Sequence, residues 1–476
     1  MKKLKKIRKA YLVNPPTGLY VREDRCQFPV KGLNATAIRP PIDLAYIAST
    51  MQLADVECRI KDFPAEGGDF NDFRKDLAQF KPDILIISVT SPTIELDMQV
   101  CKIAKELDPE MLTSAKGAHF SVLDVDSLKR FPKLDFVVQR ETEFIYKDIV
   151  EKKDLDKITG ITYRNNDEII KGEPRPFLKN LDSLPFPDRS LLRNDLYIRP
   201  DTKKMQTTVQ TNAGCPSKCV FCLAQRVSGA KVRSRSPENI ITEIEECINK
   251  YNIDNFFFRA DTFTINKKIA IGLCREILER KLDIQWVCNG RVDTLDEEIL
   301  AWMKKAGCWL MSIGVESGSP EILRHMKKGT NLEQAKRAIR LCRNAGIKTY
   351  MLFVMGLPWE TRETLRETID FAKYIDGDFL EFSLAVPFPG SEFYEIALKE
   401  NLFRLEDLQS FDNMAPIVDT FHLSKDELLK IRDRGLREFY LRPKYIIRTL
   451  MDAKSPDVIL NYLKFGAERL RRLFFK

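Results

Sequence analysis

The sequence feature that constrains the fold most is a long alternation of apolar and amphipathic segments across residues 204–400. Its six apolar segments are typical of strands, and helical patterns separate them: QTTVQTN (206–212), NFFFRAD (255–261), IQWVCNGR (284–291), WLMSIGVES (309–317), IKTYMLFVMG (347–356) and FLEFSLAV (379–386). Strands that alternate with helices form parallel sheets. Six such units predict a partial (β/α)6 barrel of the TIM type, whose working face lies at the carboxyl ends of the strands.

A shorter alternation of the same kind occupies residues 1–150. Its five strand candidates are AYLVN (10–14), VECRIKDF (56–63), DILIISV (83–89), MLTSA (111–115) and LDFVVQ (134–139), with helical patterns between some of them. This pattern predicts an α/β, doubly wound, Rossmann-like domain that binds its ligand at the carboxyl ends of the strands.

Two further regions complete the predicted architecture. A hairpin around Asn165 and Asn166, followed by a proline-rich stretch, predicts a connecting region at 151–203. Residues 401–476 have a helical pattern and predict a basic C-terminal extension. Its last segment, from residue 455, has an apolar stripe opposite basic residues, which is typical both of an ordinary packed helix and of a helix at a membrane surface.

Composition limits the class of protein. A chain of 476 residues predicts two or three domains, and 44% hydrophobic residues exclude global disorder. No apolar run reaches the roughly 20 residues that span a bilayer. The basic N-terminus lacks the apolar segment of a signal peptide, so a cytoplasmic protein is predicted.

The net charge of +8 is concentrated at the two ends of the chain. Residues 1–10 carry six basic groups and no acid, and residues 430–476 carry thirteen basic and five acidic groups, an excess of eight. This distribution predicts surface contacts, such as a peripheral contact with a membrane, and no nucleic-acid partner is expected.

Only three of the eleven cysteines are clustered: Cys215, Cys219 and Cys222, in the loop after the first barrel strand. A structural zinc site needs a fourth ligand, and none of the three histidines is near in sequence. A redox CxxC pair does not account for the third cysteine. A [4Fe–4S] cluster fits better, because three thiolates leave one iron open to a substrate or cofactor.

This Cys-x3-Cys-x2-Cys pattern, with Phe221 before the last cysteine, resembles the signature of the radical S-adenosylmethionine (SAM) superfamily. The resemblance implies that the open iron binds SAM, which is cleaved to give a 5′-deoxyadenosyl radical. Phe221, Arg291, Glu316, Ser317 and Gly356 match positions that contact SAM in the family. The chain departs from many relatives at RADTFT (259–264), where Ala260 precedes Asp261 in place of a second aspartate.

A doubly wound domain before the barrel resembles the cobalamin (B12)-binding subgroup, whose members include carbon methyltransferases and the anaerobic magnesium-protoporphyrin cyclase. The segments NPP (14–16), RPPIDLAYIAS (39–49) and LPFPDRSLL (184–192) carry this resemblance. No Asp-x-His-x-x-Gly motif is present, so cobalt is expected to lack a histidine ligand. By their positions in the loops, the candidate cobalamin contacts are Asn14, Thr90, Ser91, Gly117, His119 and Glu141.

The resemblance implies three cofactors: a [4Fe–4S] cluster, SAM and cobalamin. The predicted function is methylation of an unactivated carbon of a hydrophobic small molecule through a 5′-deoxyadenosyl radical and methylcobalamin. An electron donor such as flavodoxin or ferredoxin is the expected partner, and no catalytic side chain beyond the cofactor ligands is assigned.

Three alternatives stay open at this point. The same cofactors suit an oxidative cyclase or a rearrangement enzyme. A tRNA methylthiotransferase-like enzyme would need a second cluster, for which Cys26, Cys58 and Cys101 are the candidate ligands. A sensor of cobalamin or SAM would need an output domain, and it would have no use for the three-cysteine site.

Overall fold

The computed structural model describes residues 4–23, 26–29, 38–152, 154–199, 201–404 and 418–451. Within these ranges the chain forms two large sheets, one from each half of the sequence, together with two small two-stranded sheets.

The first half of the chain contains a seven-stranded sheet in the order β4-β1-β5-β6-β7-β8-β9, and β2 pairs separately with β3. The strands are β1 Lys9–Asn14, β2 Tyr20–Glu23, β3 Cys26–Pro29, β4 Glu57–Asp62, β5 Ile84–Ser88, β6 Leu112–Lys116, β7 Phe136–Val138, β8 Ile161–Asn165 and β9 Glu168–Lys171. The helices are α1 Ile42–Gln52, α2 Phe63–Glu66, α3 Phe70–Phe80, α4 Ile94–Asp97, α5 Gln99–Leu107, α6 Asp124–Arg130 and α7 Glu143–Lys152. Strands β4, β1, β5, β6 and β7 are parallel, which confirms the Rossmann-like prediction.

Helices cover both faces of this sheet. Leu12 and Ile86 contribute to a core with α1 and α7, whereas Val13 and Ile87 contribute to a second core with α3 and α5. Neighbouring residues of a strand point to opposite faces, so the continuous apolar runs of β1 and β5 are what a sheet buried on both faces requires.

The predicted hairpin in the connecting region belongs to the first sheet. Strand β8 pairs antiparallel with β7, and β9 pairs antiparallel with β8. Asn166 occupies the turn with φ 54°, a left-handed conformation that asparagine tolerates better than most residues. The first sheet therefore continues past residue 150 and ends at Lys171.

The second half of the chain contains six parallel strands that stand in chain order, β10-β13-β14-β15-β16-β17. The strands are β10 Gln206–Gln210, β11 Asn212–Ala213, β12 Arg233–Ser234, β13 Asn255–Arg259, β14 Gln285–Arg291, β15 Cys308–Glu316, β16 Lys348–Met355 and β17 Phe379–Leu384. The helices are α8 Ala224–Ser228, α9 Pro237–Tyr251, α10 Lys267–Glu279, α11 Glu297–Lys305, α12 Pro320–His325, α13 Leu332–Ala345, α14 Arg362–Ile375, α15 Glu392–Lys399, α16 Lys425–Tyr440 and α17 Pro443–Met451. This arrangement confirms the partial (β/α)6 barrel.

The barrel strands have one fully buried face. In β14, β16 and β17 every second residue is buried, and the residues between them are half-exposed or exposed. Because alternate side chains point to opposite faces, the buried set packs under the outer helices and the other set lines the barrel interior. The interior is therefore open enough to receive a ligand.

The segment 184–192 connects the two sheets through buried polar contacts. On the side of the first sheet, Ser49 of α1 accepts the N–H of Asp188 at 2.8 Å and donates to the carbonyl of Phe186 at 2.8 Å. The segment LPFPDRSLL (184–192), which carries part of the resemblance, is therefore a joint that connects the two halves of the chain.

On the barrel side of this joint, Arg189 is fully buried. Its guanidinium donates to Glu243 of α9 at 2.5 Å and to the carbonyl of Thr208 on β10 at 2.8 Å. Arg235 binds the other carboxylate oxygen of Glu243. A buried charge needs such compensation, so these three side chains form a fully paired ionic triad.

The helical extension packs on the last barrel units. Helix α16 contacts α14 and β17, and Arg448 of α17 binds Asp376 at 2.9 Å. The predicted terminal basic helix lies outside the described residues, as do residues 405–417. Among the helices that the structure describes, none combines the length and the apolar composition that crossing a membrane requires.

Candidate active site

The three-cysteine loop begins where β11 and β12 pair beside the carboxyl end of β10. Gly214 opens the loop with φ 96°, and a Cβ atom there would lie 2.1 Å from the carbonyl oxygen of Lys231, so only glycine fits. The N–H of Gly214 donates to Asp261 Oδ2 at 2.5 Å. Asp261 follows Ala260 just after β13. Its carboxylate therefore holds the first residue of the loop at the end of that strand.

The thiols of Cys215, Cys219 and Cys222 all line one cavity. The N–H of Cys222 donates to the carbonyl of Cys219 at 3.1 Å, and the N–H of Ala224 points to the Cys222 sulfur at 3.4 Å. Burial raises the pKa of Cys219 to about 11, while the positive charge of Lys328 opposes this increase. Binding to iron removes the thiol proton, so a raised pKa is no obstacle to ligation.

The donor set fits an iron–sulfur cluster. Three thiols from a single loop leave one cluster position without a protein ligand. Within the described ranges, no group of three or more His, Cys, Asp or Glu side chains is arranged to hold a single metal ion.

The cavity has a volume of about 410 Å³ and lies between the carboxyl ends of the two large sheets. Asn14, Asp43 and Asp62 contribute to its wall from the first sheet and its first helix. Residues 19–22 and 38–42 also line it from the first half of the chain, and the cysteine loop and inward residues of β13 to β17 form most of the opposite wall. Doubly wound sheets and (β/α) barrels both bind ligands at the carboxyl ends of their strands. This cavity lies at that end of both large sheets.

A buried ion pair stands beside the cysteines. Glu316 and Lys328 are each more than nine-tenths buried, and their charged atoms are 2.6 Å apart. Glu316 has φ 68° at the end of β15, and a Cβ on Gly314 would lie 2.3 Å from its carboxylate oxygen. Because Gly314 has no side chain, the Glu316 carboxylate has room to turn back toward Lys328.

Lys328 keeps its charge in this position. Burial lowers its pKa, but the attraction of Glu316, followed by that of Cys219, raises it more, so the pKa of Lys328 lies above its usual value. Arg291 forms two hydrogen bonds with Asp293, each at 2.9 Å, and also donates to the carbonyl of Lys328 at 3.3 Å. One carboxylate and two cations beside Cys219 suit the zwitterionic amino-acid end of SAM.

The remaining predicted SAM contacts have different surroundings. Phe221 lines the cavity. Ser317 does not, because its hydroxyl is fully buried and shares a hydrogen bond of 3.0 Å with Thr368. Gly356, with φ 92°, donates its N–H to the buried carboxylate of Glu360. Ser317 and Gly356 therefore shape the strand ends on either side of the cavity.

Four predicted cobalamin contacts form one buried cluster at the carboxyl ends of β5 and β6. His119 Nδ1 lies 3.1 Å from the Ser91 hydroxyl, and Thr90 shares a hydrogen bond of 2.6 Å with Thr93. Gly117 has φ 147°, and a Cβ there would lie 2.2 Å from the carbonyl of Val89. Burial lowers the pKa of His119 to about 4, so its imidazole is neutral at physiological pH.

This ligand-binding edge of the first sheet packs on the cysteine loop. Ala118 shares an apolar cluster with Val220 and Leu223, which flank Cys222 in the loop. Asn14 is the only one of the six predicted cobalamin contacts that the described structure places in the wall of the cavity.

Glu141 stands apart from the other predicted contacts. Its carboxylate accepts the N–H of Leu178 at 2.7 Å and pairs with Arg233 of β12 at 2.6 Å. In this geometry Glu141 joins the connecting region and the base of the cysteine loop to the first sheet.

Sequence reasoning missed several side chains of the cavity. Lys328 stands in the segment GVESGSPEILRHMKKGT, and Asp43, which pairs with Lys116 of β6, stands in RPPIDLAYIAS. Asp43 lies inside a segment that carried the resemblance, and Lys328 follows Glu316 and Ser317, which the resemblance also used, but neither residue had an assigned role. Glu381 could have been predicted as a site residue from the sequence, because it is an acidic residue at a position of a barrel strand that faces the interior, and it lines the cavity.

Of the three cysteines proposed for a second cluster, the Cys26 side chain lies outside the described part of the structure, and Cys58 and Cys101 are not together. Cys58 is buried in the core on one face of the first sheet, and Cys101 is buried in the core on the other face. The sheet separates the two thiols, so they cannot ligate one cluster.

Comparisons with known proteins agree with this site. Residues 209–372 match the family model of the radical SAM superfamily, and residues 31–150 match that of the B12 binding domain. An uncharacterized methyltransferase of Pyrococcus horikoshii is 32% identical over 451 residues, which cover 94% of this chain and 95% of the relative. The anaerobic magnesium-protoporphyrin IX monomethyl ester cyclase of Rubrivivax gelatinosus is 28% identical over 90% of this chain and 80% of its own length.

Two solved structures share the fold. The cobalamin-dependent SAM radical enzyme OxsB, with aqua-cobalamin bound, superimposes with a TM-score of 0.71 at 19% identity, over 98% of this chain and 72% of that one. The radical SAM methyltransferase TsrM of Kitasatospora setae gives a TM-score of 0.66 at 19% identity, over 84% and 76% of the two chains. Full-length similarity, both family models and the three-cysteine cavity agree that the chain belongs to the cobalamin-dependent radical SAM methyltransferase family.

Proposed function

We propose that this enzyme methylates an unactivated carbon of a small molecule bound in the cavity between its two domains. The observation that carries the proposal is that one cavity is bounded by the three cysteines and by Asn14 and Asp62, at the carboxyl ends of β1 and β4 in the first sheet. A methyl carrier and a radical generator must both reach the same substrate carbon, and a shared cavity allows this.

The residues present suit the three cofactors. Cys215, Cys219 and Cys222 would hold the cluster, and Glu316 with Lys328 would hold the amino-acid end of SAM. The Ser91–His119 cluster stands at the sheet edge that would hold cobalamin. When bound, the cluster and SAM supply the radical, and cobalamin supplies the methyl group.

The chain itself contributes position and protection. The buried Glu316–Lys328 pair is oriented by Gly314 and Arg291 before any ligand arrives, which lowers the entropic cost of binding. Apolar residues such as Leu352 and Phe388 line the same cavity and exclude water from it. Exclusion of water protects a reactive radical from side reactions.

A second candidate function is oxidative cyclisation with the same cofactors. The observation that favours it is the full-length similarity to an anaerobic cyclase. Both reactions begin with hydrogen abstraction, so they differ in products rather than in the residues that bind the cofactors.

The test is anaerobic reconstitution with iron, sulfide and hydroxocobalamin, followed by addition of SAM and a strong reductant. We expect both 5′-deoxyadenosine and S-adenosylhomocysteine, the latter only when cobalamin is present. Cys219→Ala should abolish both products. Deoxyadenosine alone would favour the cyclase, and a lack of both products in a preparation with full iron and cobalamin content would contradict the proposal.

We also propose a reducing, cytoplasmic location and a small redox protein such as flavodoxin or ferredoxin as electron donor. Support comes from the cysteines, since the ten whose side chains the structure describes are all free thiols. A peripheral membrane contact through the basic residues 430–476 is a separate proposal, based on sequence alone. Deletion of these residues should weaken binding to anionic vesicles, and unchanged binding would dismiss the idea.

A further inference from the structure

The cavity has an acidic side chain on the wall formed by β16 and β17. Tyr350 and Leu352 point inward from β16, and Glu381 and Ser383 point inward from β17. Strand β17 is the last strand of the sheet, and β10, which leads into the cysteine loop, is the first. The acidic wall and the cysteine loop thus belong to opposite edges of the barrel sheet.

Two hydroxyl groups hold the carboxylate of Glu381 in place. Ser383 donates to Glu381 Oε1 at 2.9 Å, and the Tyr350 hydroxyl donates to Oε2. Among the residues that the structure describes, no Lys, Arg or His nitrogen lies within ion-pair distance of this carboxylate. The hydroxyls orient the group, but they do not neutralise its charge.

Two other carboxylates of the cavity have cationic partners, whereas Asp62 accepts a hydrogen bond of 2.9 Å from Tyr197. Asp43 pairs with Lys116, and Glu316 pairs with Lys328. A charge held away from bulk water is costly unless an opposite charge accompanies it. Glu381 is half-buried and differs from these two because no described Lys, Arg or His pairs with it, so a cationic ligand in the cavity would supply the opposite charge.

We propose that Glu381, oriented by Tyr350 and Ser383, is the subsite for a protonated amine of the substrate. The inference rests on the proposed function, because it takes this cavity as the place where the substrate binds. Apolar side chains of the same wall, Leu352 and Val354, would receive the hydrocarbon part. The substrate class is then an amine with an apolar body, rather than a wholly hydrophobic molecule.

The sulfonium of SAM is the other cation that could meet this carboxylate. Glu316, the partner of Lys328, ends β15, whereas Glu381 lies on β17, and β16 stands between these two strands. This places the acidic wall away from the group that suits SAM and favours the substrate as the source of the cation.

The test compares two probes that differ in charge only, 2-phenylethylamine and 2-phenylethanol. Their binding to the cluster- and cobalamin-loaded protein is measured by equilibrium dialysis with SAM present and reductant absent. We expect the amine to bind about tenfold more tightly than the alcohol, and E381Q to remove this preference. Glu279→Gln, which removes an exposed carboxylate from the outer helix α10, should keep it.

Each other outcome overturns the proposal. These outcomes are equal binding of the two probes, no binding of either, or an undiminished preference in E381Q. Weaker SAM binding in E381Q would assign the carboxylate to the sulfonium instead. If E381Q loses its iron, Ser383→Ala and Tyr350→Phe replace it, and both should reduce the preference because the carboxylate loses an orienting hydroxyl. Formation of 5′-deoxyadenosine and S-adenosylhomocysteine without probe reports separately on the proposed function.

Discussion

Replacement of Arg189 by methionine should destabilise the protein more than any exposed charge substitution in the same segment. Arg189 is 1% exposed, and Glu243, which it binds at 2.5 Å, is fully buried. Methionine is apolar and of similar length, so it keeps much of the volume and removes the charge and its hydrogen bonds. The variant therefore isolates the electrostatic contribution of the joint between the domains.

The magnitude follows from the groups that lose their partners. Glu243 would keep only Arg235, and the carbonyl of Thr208 and the hydroxyl of Thr207 would lose a donor. Loss of one member of a buried ion pair costs about 3–5 kcal/mol. We expect the free energy of unfolding to fall by that amount.

The assay is urea-induced unfolding of the wild type and Arg189→Met, followed by intrinsic fluorescence. Arg193→Met is the matched control, because Arg193 pairs with Asp195 in the same segment and both side chains are more than half exposed. An exposed pair contributes less than about 1 kcal/mol, so this variant should be nearly as stable as the wild type. Equal losses in the two variants would refute the reasoning that burial determines the cost.

Three further predictions concern the site and its surroundings. Burial raises the pKa of Glu360 to about 8, so between pH 5 and pH 8 the folded state keeps a proton that the unfolded state has released near pH 4.5. The free energy of unfolding should therefore fall by about 1.4 kcal/mol for each unit that the pH rises in this range. Urea unfolding at several pH values should show a flatter slope for Glu360→Gln. Lys328→Met should weaken SAM binding at least about tenfold in equilibrium dialysis without loss of iron, and Lys328→Arg should restore part of it. Gly214→Ala should prevent cluster assembly, measured as iron and sulfide per chain; Gly329→Ala is the matched control and should keep its iron, because Gly329 also has a left-handed φ, 72°, but nothing lies within 4 Å of its Cβ position.

Each of these three expectations has a contradicting result. An unchanged pH slope in Glu360→Gln would mean that another group controls the stability in this range. Full SAM affinity in Lys328→Met would remove that lysine from the binding site. Normal iron content in Gly214→Ala would show that the loop can move away from the carbonyl of Lys231.

The sequence predicted the regular parts of the fold because their signals are local. Each of the six barrel strands was marked by an apolar run between helical patterns. A serine followed by proline is typical of a helix start, and at α9 the Ser236 hydroxyl accepts the N–H of Asn239 at 3.2 Å. The pairing of β8 with β7 was not predicted, because pairing between strands is decided by contacts distant in sequence.

Residues of the candidate site that lie close together in sequence could be predicted, and residues that meet only through the fold could not. The cysteine loop is one short segment, and its three ligands were readable from their spacing. Lys328 lies twelve residues after Glu316 and meets it only because the chain folds back across the end of β15. The sequence also did not indicate that the Ser317 side chain points away from the cavity. The left-handed conformation of Glu316 ends the alternation of inward and outward side chains along β15.

The apolar cluster shared by Ala118, Val220 and Leu223 implies an order of maturation. Once the first domain has docked on the barrel, the cysteine loop is covered from that side, and Cys215 is already 92% buried, being only 8% exposed. An iron–sulfur scaffold protein needs direct access to the thiols, and in the docked protein Cys219 and Cys222 are partly exposed but Cys215 is buried, so we expect cluster delivery before docking. The corrinoid, whose expected binding edge is part of the same docking surface, would likewise have to bind before the two domains close on each other.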